Sequence, residues 1–428
     1  MSQAQMDRED SFREEDAASE KDKKQKSRRP ANTAFRQQRL KAWQPILTPK
    51  TVLPLFFAVG VIFAPIGGLL LYASAQVQQI KITYQDCTNT DPAIGAPLGS
   101  FAPIPSQHYS LSFKNSTPSA ELPRWSRSET STIFGVGGAS VPNYSNVTTP
   151  VCLLQFYIPD EIGPPVFFYY QMTNFYQNHR RYVKSFDRSQ LSGQFRSNDS
   201  IAGSDCDPLR VDPETNKTYY PCGLIANSLF NDTFSSPVKL NVAGDNANNE
   251  TYDMVNKGIA WTSDRDLYGR TAYTPDQVVP PVNWRYKYPR YDDTQFPIPN
   301  LQEMEEFQVW MRTAGLPVFS KLARRNDTAP MSVGRYEVRI EDFFPVTIYD
   351  GTKSILISTR TVMGGQNPFL GIAYVVVAGV CVVMGALFLA THLIKPRKLG
   401  DHSYLTWSSD QPANAITTPR IGRRNGSS

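Results

Sequence analysis

Two long stretches without a charged residue constrain this chain more than any other feature. Between Thr51 and Ile80, and again between Thr361 and Thr391, no Asp, Glu, Lys or Arg occurs. A helix needs about 20 consecutive apolar residues to cross the hydrocarbon core of a bilayer, and each stretch supplies them. Uncharged runs of this length seldom occur in soluble domains, so the sequence predicts two transmembrane helices rather than two buried core helices.

The distribution of basic residues predicts how these spans are oriented. Residues 1–50 contain 12 Lys and Arg against 8 Asp and Glu, residues 395–428 contain 6 against 2, and the residues between them contain 26 against 29. Because short basic segments stay on the cytosolic side, we expect both tails in the cytosol and the middle across the membrane. No cleavable signal peptide is visible before the first span, which is therefore expected to act as an uncleaved signal anchor.

The predicted organisation follows from these two observations. It comprises a disordered cytosolic tail (1–30), an interfacial cytosolic segment (31–50), a first transmembrane helix (51–75), a glycosylated and disulfide-bonded ectodomain (76–366), a second transmembrane helix (367–394) and a cytosolic C-terminal tail (395–428). The basic run Lys21–Arg29 suits attraction to anionic membrane lipids. A role with nucleic acid is not expected, because the spans hold the chain at a membrane.

N-glycosylation sequons agree with this topology. The predicted ectodomain contains eight N-x-Ser/Thr acceptors, far more than chance supplies: Asn115, Asn143, Asn146, Asn198, Asn216, Asn231, Asn249 and Asn326. Pro118 makes the first of them doubtful. Asn425 also matches, but it lies in a predicted cytosolic tail and should remain unmodified.

The cysteines divide in the same way. Cys87, Cys152, Cys206 and Cys222 lie in the predicted ectodomain, and Cys381 lies within the second span. Four cysteines allow three connectivities, of which we favour Cys206–Cys222 with Cys87–Cys152. Closing the short loop between the first pair raises the free energy of unfolding by about 3 kcal/mol on the chain-entropy estimate.

The ectodomain is predicted to be β-rich, an antiparallel β-sandwich-like domain with short helices and long loops. Apolar residues alternate with charged ones from Tyr336 to Glu341, as in a half-buried strand. FPVTIY and TKSILIST flank Asp350-Gly351 and predict a β-hairpin. One helix is predicted to begin at Asn300, with Glu303 at the capping-box position, and to end before Gly315-Leu316-Pro317.

Catalytic motifs are missing from the sequence. It contains no H-E-x-x-H, nucleophile elbow, P-loop, C-x-x-C pair or D-K-T-G motif, so no enzyme activity, metal or cofactor is expected. Basic residues do cluster beside aromatic ones, at His179, Arg180, Arg181 and Lys184. This cluster suits an acidic loop of a partner or a lipid headgroup, and equally a polar surface on a short helix.

Two further regions suit contacts with a partner. In residues 31–50, Arg36, Arg39 and Trp43 belong to an amphipathic pattern that predicts an interfacial element or a protein contact, the alternative being a simple linker. In the spans, small residues leave room for close helix approach, either between the two spans or against another membrane protein.

Several long segments carry a family resemblance. In order, they are NTAFRQQRLKAWQPILT before the first span, YQDCT (84–88), FYQNHRRYVKS (175–185), QLSG (190–193), PCGLIANSLFNDTF (221–234), GIAWTSD, VWMRTAGLPVFSKL, GGQNPFLGIAYVVV and KPRKLGDHSYLTW. The chain resembles the β-subunits of phospholipid flippases, which are the accessory subunits of type IV P-type ATPases and form the ligand-effect-modulator family. The resemblance covers most of residues 31–407.

The resemblance implies a non-catalytic subunit that forms a heterodimer with an ATPase of ten spans. Its β-rich ectodomain is expected to cap the lumenal loops of that ATPase, and its paired cysteines map onto the sequential pairing favoured above. Asn231 ranks first for glycosylation. Such subunits assist export from the endoplasmic reticulum, so residence there, in the Golgi and endosomes and at the plasma membrane is expected. The alternative function is a stand-alone cell-surface binding protein or receptor, with the basic cluster as its ligand site.

Overall fold

A computed structural model of the chain describes residues 32–40, 48–134, 145–240, 249–359 and 365–396. The helices of these residues are α1 (Pro49–Ala75), α2 (Arg180–Lys184), α3 (Arg188–Leu191), α4 (Asn198–Ala202), α5 (Leu224–Asn227), α6 (Thr262–Arg265), α7 (Glu305–Met311) and α8 (Phe369–Ile394). Six of the eight are short, and only α1 and α8 are long.

The strands dominate the region between the two long helices. They are β1 (Gln79–Thr83), β2 (Ala102–Pro103), β3 (Tyr109–Ser112), β4 (Arg124–Phe134), β5 (Ser145–Ile158), β6 (Val166–Met172), β7 (Thr218–Tyr219), β8 (Thr233–Phe234), β9 (Val238–Leu240), β10 (Glu250–Thr251), β11 (Val278–Val279), β12 (Phe319–Asn326), β13 (Gly334–Glu341) and β14 (Lys353–Ser358).

Two antiparallel sheets contain most of these strands. The first has the order β12-β6-β14-β1-β3, and the second has the order β10-β9-β13-β5-β4-β2 with β8 also paired to β13. A separate parallel pair joins β7 and β11. The predicted β-rich fold class is therefore confirmed.

The two sheets share one hydrophobic core. Ile80 and Ile82 on β1 are fully buried and belong to the same cluster as Val338 and Ile340 on β13. Successive side chains of a strand point to opposite faces, so the alternation predicted for Tyr336, Val338 and Ile340 places all three in this core, as the structure confirms. The inner faces of the two sheets thus pack against each other in a sandwich.

The long helices α1 and α8 correspond to the two uncharged stretches. They contain 27 and 26 residues, and at about 1.5 Å per residue each is about 40 Å long, more than the roughly 30 Å of a hydrocarbon core. Both are long and apolar enough to cross a membrane. Most of their side chains are exposed, as a lipid-facing surface requires.

The predicted hairpin around Asp350-Gly351 is wrong. Strand β14 pairs with β1 and β6, and the segment before the turn forms a single turn of 3-10 helix at Thr347–Tyr349 instead of a strand. Phe344 and Val346 are buried in the core. The turn itself exists, since Asp350 has a left-handed backbone with φ of +53°.

The predicted helix around Trp310 is shorter than expected. It begins at Glu305, and Asn300 and Glu303 instead form a turn before it, in which the Asn300 side chain donates to Glu303 over 2.8 Å. The carboxylate of Glu305 accepts bonds from the backbone amides of Ile259 and Ala260. These bonds to a distant segment hold Glu305 at the start of the helix. No pattern in the neighbouring sequence predicts them.

Candidate interaction site

The predicted basic cluster lies on one short helix. Arg180, Arg181 and Lys184 belong to α2, and His179 precedes it as the N-cap residue. All four side chains are exposed. Within the described part of the chain, no carboxylate forms an ion pair with any of them, so the helix presents a net positive surface.

Buried polar contacts fix the position of this helix. Before it, Gln177 is fully buried and accepts a 2.8 Å bond from the backbone amide of Ala314. After it, the buried hydroxyl of Ser185 accepts a 2.8 Å bond from the backbone amide of Leu224. The helix is therefore held at both ends to the body of the domain, and its cations are displayed on a rigid element.

A glycine permits one of these contacts. Gly223 has φ of +97°, a conformation that L side chains rarely adopt, and a Cβ added there would lie 2.1 Å from the carbonyl oxygen of Ser185. The segments FYQNHRRYVKS and PCGLIANSLFNDTF therefore touch backbone to backbone, and a side chain at position 223 would have to displace the backbone at Ser185.

Exposed apolar side chains lie on the neighbouring loops. Tyr176, Leu316 and Ile348 are 57%, 70% and 81% exposed. The loops that carry the first two are joined by a 3.0 Å bond from the Asn178 side chain to the carbonyl of Gly315. A positive helix beside exposed apolar groups has the composition of a protein-binding surface.

This surface lies at the end of the first sheet that is remote from the spans. Gln79 comes four residues after Ala75, the last residue of α1, and pairs with Ser358. At the other end of β14, Lys353 pairs with Met172, after which the chain continues to α2. Six residues of strand span about 17 Å. The position therefore favours a protein loop over a headgroup of the same membrane.

A buried ionic network lies behind this end of the sheet. The ammonium of Lys353 donates to Asp232 over 2.7 Å and also to Asp342. Tyr84 donates to Asp232 over 2.7 Å, and Thr88 donates to Asp342 over 2.6 Å. Tyr84 and Thr88 belong to the segment YQDCT and Asp232 to PCGLIANSLFNDTF, so the network connects two of the family-like segments.

Backbone hydrogen bonds stabilise the buried carboxylate of Asp232 in addition to the ammonium of Lys353. Asp232 also accepts bonds of 2.7 and 2.6 Å from the backbone amides of Phe343 and Phe344. Burial raises the pKa of Asp232, while the ammonium of Lys353 opposes the rise. Burial and the neighbouring Asp232 raise the pKa of Tyr84 well above its ordinary value, so the hydroxyl keeps its proton and remains a donor.

A second buried lysine caps the C-terminal end of helix α7. The ammonium of Lys321 donates to the carbonyls of Val309, Trp310 and Arg312, at 2.9, 3.2 and 2.6 Å. These carbonyls have no partner within the helix, and a cation at a helix C-terminus is stabilising. Burial lowers the pKa of Lys321 to about 7. The helix ends here instead of continuing to Gly315.

Sequence reasoning missed Lys321, Lys353 and Asp232 as structural residues. The sequence contains only a weak indication that the two lysines are buried. Lys353 is the first residue of the apolar strand segment KSILIS, and Lys321 lies in β12. A lysine at a core-facing position of a strand is expected to be paired, but the sequence does not identify its partner.

Two disulfide bonds link Cys87 to Cys152 and Cys206 to Cys222, which is the pairing favoured from the sequence. The first joins the YQDCT segment to β5 of the other sheet. The second joins cysteines 16 residues apart in sequence and closes a loop that contains β7. Cys381 is free.

The sequons differ in exposure. Asn231 and Asn326 are partly buried, whereas the other described acceptors are exposed; these are Asn115, Asn146, Asn198, Asn216 and Asn249. Asn143 and Asn425 lie outside the described residues.

The long helices approach each other at glycines. A Cβ on Gly67 would lie 2.8 Å from Val375 Cγ2, and one on Gly371 would lie 2.9 Å from the backbone nitrogen of Leu71. Neither Gly68 nor Gly379 has any heavy atom near its added Cβ. The small residues therefore divide into one set used between the two spans and another left open.

The predicted cytosolic contacts are only partly described. Arg36 is exposed on a turn and Arg39 is exposed directly after it, and the guanidinium of Arg39 donates to the side chain of Asn32. Trp43 lies outside the described residues. In the sequence, these arginines precede α1, whereas the basic cluster follows it.

Within the part of the chain that the structure describes, no three His, Cys, Asp or Glu side chains gather into a group that could hold a metal ion.

The chain is similar to proteins of known family. Residues 70–398 match the LEM3 (ligand-effect modulator 3) family / CDC50 family. The chain is 44% identical over 386 residues to the phospholipid-transporting ATPase accessory subunit CDC50 of Chaetomium thermophilum, covering 89% of this chain and 91% of that protein. It is 42% identical over 419 residues to the phospholipid-transporting ATPase accessory subunit CRF1 of Saccharomyces cerevisiae, covering 96% and 98%. Cell cycle control protein 50A of Bos taurus is 38% identical over 376 residues, covering 85% and 89%.

Proposed function

This chain belongs to the LEM3 (ligand-effect modulator 3) / CDC50 family, and on that premise we propose that it is the non-catalytic accessory subunit of a phospholipid-transporting type IV P-type ATPase. It forms a heterodimer with the catalytic subunit, which hydrolyses ATP and carries the lipid. The accessory chain supports folding of that subunit, its export from the endoplasmic reticulum and its transport cycle.

One observation carries this proposal. The similarity to the yeast accessory subunit CRF1 extends over 96% of this chain and 98% of that protein at 42% identity, so both spans and the whole β sandwich are shared. A stand-alone receptor would need no such agreement through the spans. The agreement therefore favours the accessory subunit over a stand-alone cell-surface binding protein or receptor.

The proposed topology places both tails in the cytosol and the β sandwich in the lumen or outside the cell. Two disulfides and the eight sequons support this orientation, because both modifications belong to oxidising compartments. The chain is a membrane protein, and it is proposed to reside in the endoplasmic reticulum, the Golgi and endosomes, and the plasma membrane, following its partner.

Three surfaces are proposed to contact the catalytic subunit. The first is the surface of the spans beside Gly68 and beside Gly379, where a partner helix has room to approach. The second is the basic helix α2 with its apolar neighbours. The third is the cytosolic segment with Arg36, Arg39 and Trp43. The remaining exposed apolar surface of α1 and α8 contacts membrane lipids.

Deletion of the gene tests the proposal in cells. Loss of this chain should leave the catalytic ATPase in the endoplasmic reticulum and should abolish uptake of a fluorescent phospholipid at the plasma membrane. Return of the full chain should restore both. Normal ATPase location and normal lipid uptake in the deletion cells would contradict the proposed function, provided that no second family member is expressed.

A further inference from the structure

A cavity lies between the two long helices, at the end where α1 begins and α8 ends. The helices pack closely just before this end. The rings of Phe56 and Phe388 meet edge to face with centroids 5.6 Å apart, and a Cβ on Gly385 would lie 3.3 Å from the ring of Phe57. Beyond this contact the cavity opens, with a volume of about 480 Å³. This volume is in the range of small-molecule sites, roughly 300–1,000 Å³.

The walls of the cavity are apolar toward the membrane centre and polar toward the helix ends. Val52, Leu53 and Phe388 belong to the apolar part. The polar part consists of Thr48, Thr391, His392 and Lys395. Helix α1 contains 27 residues, so at about 40 Å its ends extend past a hydrocarbon core of roughly 30 Å. The polar part therefore lies at the depth of the lipid phosphates.

Two hydrogen-bond donors in the polar part have no partner. The side chains of His392 and Lys395 form neither a hydrogen bond nor an ion pair with any other residue that the structure describes. The threonine hydroxyls are already bonded. That of Thr391 donates to the carbonyl of Phe388 over 2.9 Å, and that of Thr48 lies 3.2 Å from the hydroxyl of Thr51. The imidazole and the ammonium are therefore the groups available to a ligand.

The charge around the cavity favours an anion. No Asp or Glu occurs between Lys23 and Gln85, or between Gly351 and Gly400, so no carboxylate close in sequence neutralises Lys395. The positive end of the α1 dipole lies at the cavity, and Lys395 offsets the negative end of α8. A ligand that combines a negative charge with an apolar chain matches both parts of the cavity.

We propose that this cavity binds one anionic phospholipid. Its phosphate lies against Lys395 and His392. The first part of an acyl chain lies against Val52, Leu53 and Phe388. With the proposed topology the lipid comes from the cytosolic leaflet, which is rich in anionic lipids. The lipid fills the gap between the two helix ends, so it is a structural ligand of this chain, a role separate from lipid transport by the catalytic subunit.

Native mass spectrometry of the full-length chain in detergent tests the proposal. After treatment with peptide N-glycosidase F, the chain is titrated with phosphatidylglycerol or phosphatidylcholine of the same acyl chains. The choline cation offsets the phosphate charge, so the two lipids differ in net charge alone at the site. We expect one phosphatidylglycerol per chain, bound at least about tenfold more tightly than phosphatidylcholine. Equal affinity for the two lipids would overturn the proposal.

A charge variant and its control test the position of the phosphate. The double variant His392→Ala/Lys395→Ala should lose the preference for phosphatidylglycerol. Lys50→Ala is the matched control, because Lys50 is exposed at the start of α1 but is not part of the cavity wall. It should retain the preference. Equal losses in the two variants would show attraction to general surface charge and would also overturn the proposal.

A cavity-filling variant tests the position of the acyl chain. Val52→Phe keeps both donors but occupies the apolar part, and it should lower the affinity for phosphatidylglycerol about tenfold, since each displaced CH₂ group weakens binding about fourfold. Unchanged affinity would contradict the proposed position. Glycerol 3-phosphate at the lipid concentration should not displace the lipid; displacement would show a site for free phosphate instead. None of these readouts involves the ATPase, so this inference can fail while the proposed function stands.

Discussion

The hydroxyl of Tyr84 donates a 2.7 Å hydrogen bond to the carboxylate of Asp232, although 148 residues separate them. Lys353 donates to the same carboxylate and also to Asp342. The ammonium thus joins the segment before β8 to the segment after β13, and the two carboxylates bind the segment after β1 through Tyr84 and Thr88. The residues that make the family segments recognisable therefore hold the two sheets and their loops together.

Substitutions in this network should differ in their effect. Lys353→Met leaves the buried carboxylate of Asp232 and the partly buried one of Asp342 without a cation and should destabilise the protein by about 3–5 kcal/mol. Tyr84→Phe removes one of several donors to Asp232 and should destabilise it by about 1.5–3 kcal/mol. Thermal unfolding of the purified full-length chain measures both, with Lys239→Met as the control at a half-buried lysine outside the network. Equal effects of Lys353→Met and Lys239→Met would contradict the role of the network.

Gly223→Ala should prevent correct packing of helix α2. The new Cβ would lie 2.1 Å from the Ser185 carbonyl, in addition to the backbone strain of φ +97°. Gly258→Ala is the matched control, because Gly258 also has positive φ, +72°, but open space around it. The control should show only strain of about 1–3 kcal/mol, while Gly223→Ala should retain the chain in the endoplasmic reticulum. Similar export of the two variants would show that the contact is unimportant.

Adjacent glycines in α1 separate packing within the chain from packing against a partner. Gly67→Leu should disturb the approach of the two spans and lower the yield of folded protein. Gly68→Leu should leave the isolated chain intact but lower recovery of the ATPase about tenfold, equivalent to about 1.4 kcal/mol. Size-exclusion chromatography reports the first effect and co-purification the second. If Gly68→Leu recovers the ATPase in full, the surface of α1 at Gly68 does not contact the ATPase.

The double variant Arg180→Ala/Arg181→Ala should weaken association with the catalytic subunit. Two exposed contacts of up to about 1 kcal/mol each lower the association constant by roughly 5- to 30-fold. The loss should be larger at low ionic strength, because salt screens exposed charges. Arg265→Ala on α6 is the control, because Arg265 is an exposed arginine that does not belong to the cluster. If the double variant binds the catalytic subunit with unchanged affinity at low salt, α2 is solvated surface and not part of the interface.

The sequence predicted what depends on local pattern. The spans follow from uncharged runs, and the strand at 336–341 follows from the alternation of apolar and charged residues. The false hairpin at Asp350-Gly351 shows the limit: the turn signal was correct, but β14 pairs with β1 and β6, and Phe343 and Phe344 donate to the distant Asp232. The secondary structure of such segments depends on partners that are distant in sequence. Patterns in a single sequence do not identify those partners.

The candidate surface was predictable in part. The sequence identified the cations at 179–184 but not their position at the end of the sheet remote from the spans, because that position follows from the pairing of Met172 with Lys353. The early end of helix α7 was likewise set by Lys321, ten residues beyond Met311. Both depend on tertiary contacts that override local propensity.

Affinity purification of the tagged full-length chain in mild detergent, followed by quantitative mass spectrometry, tests the central claim most directly. The accessory-subunit account predicts recovery of a type IV P-type ATPase in an amount close to one per tagged chain, surviving purification as a single species. Repeated purification of the folded, glycosylated chain without any P-type ATPase would contradict it.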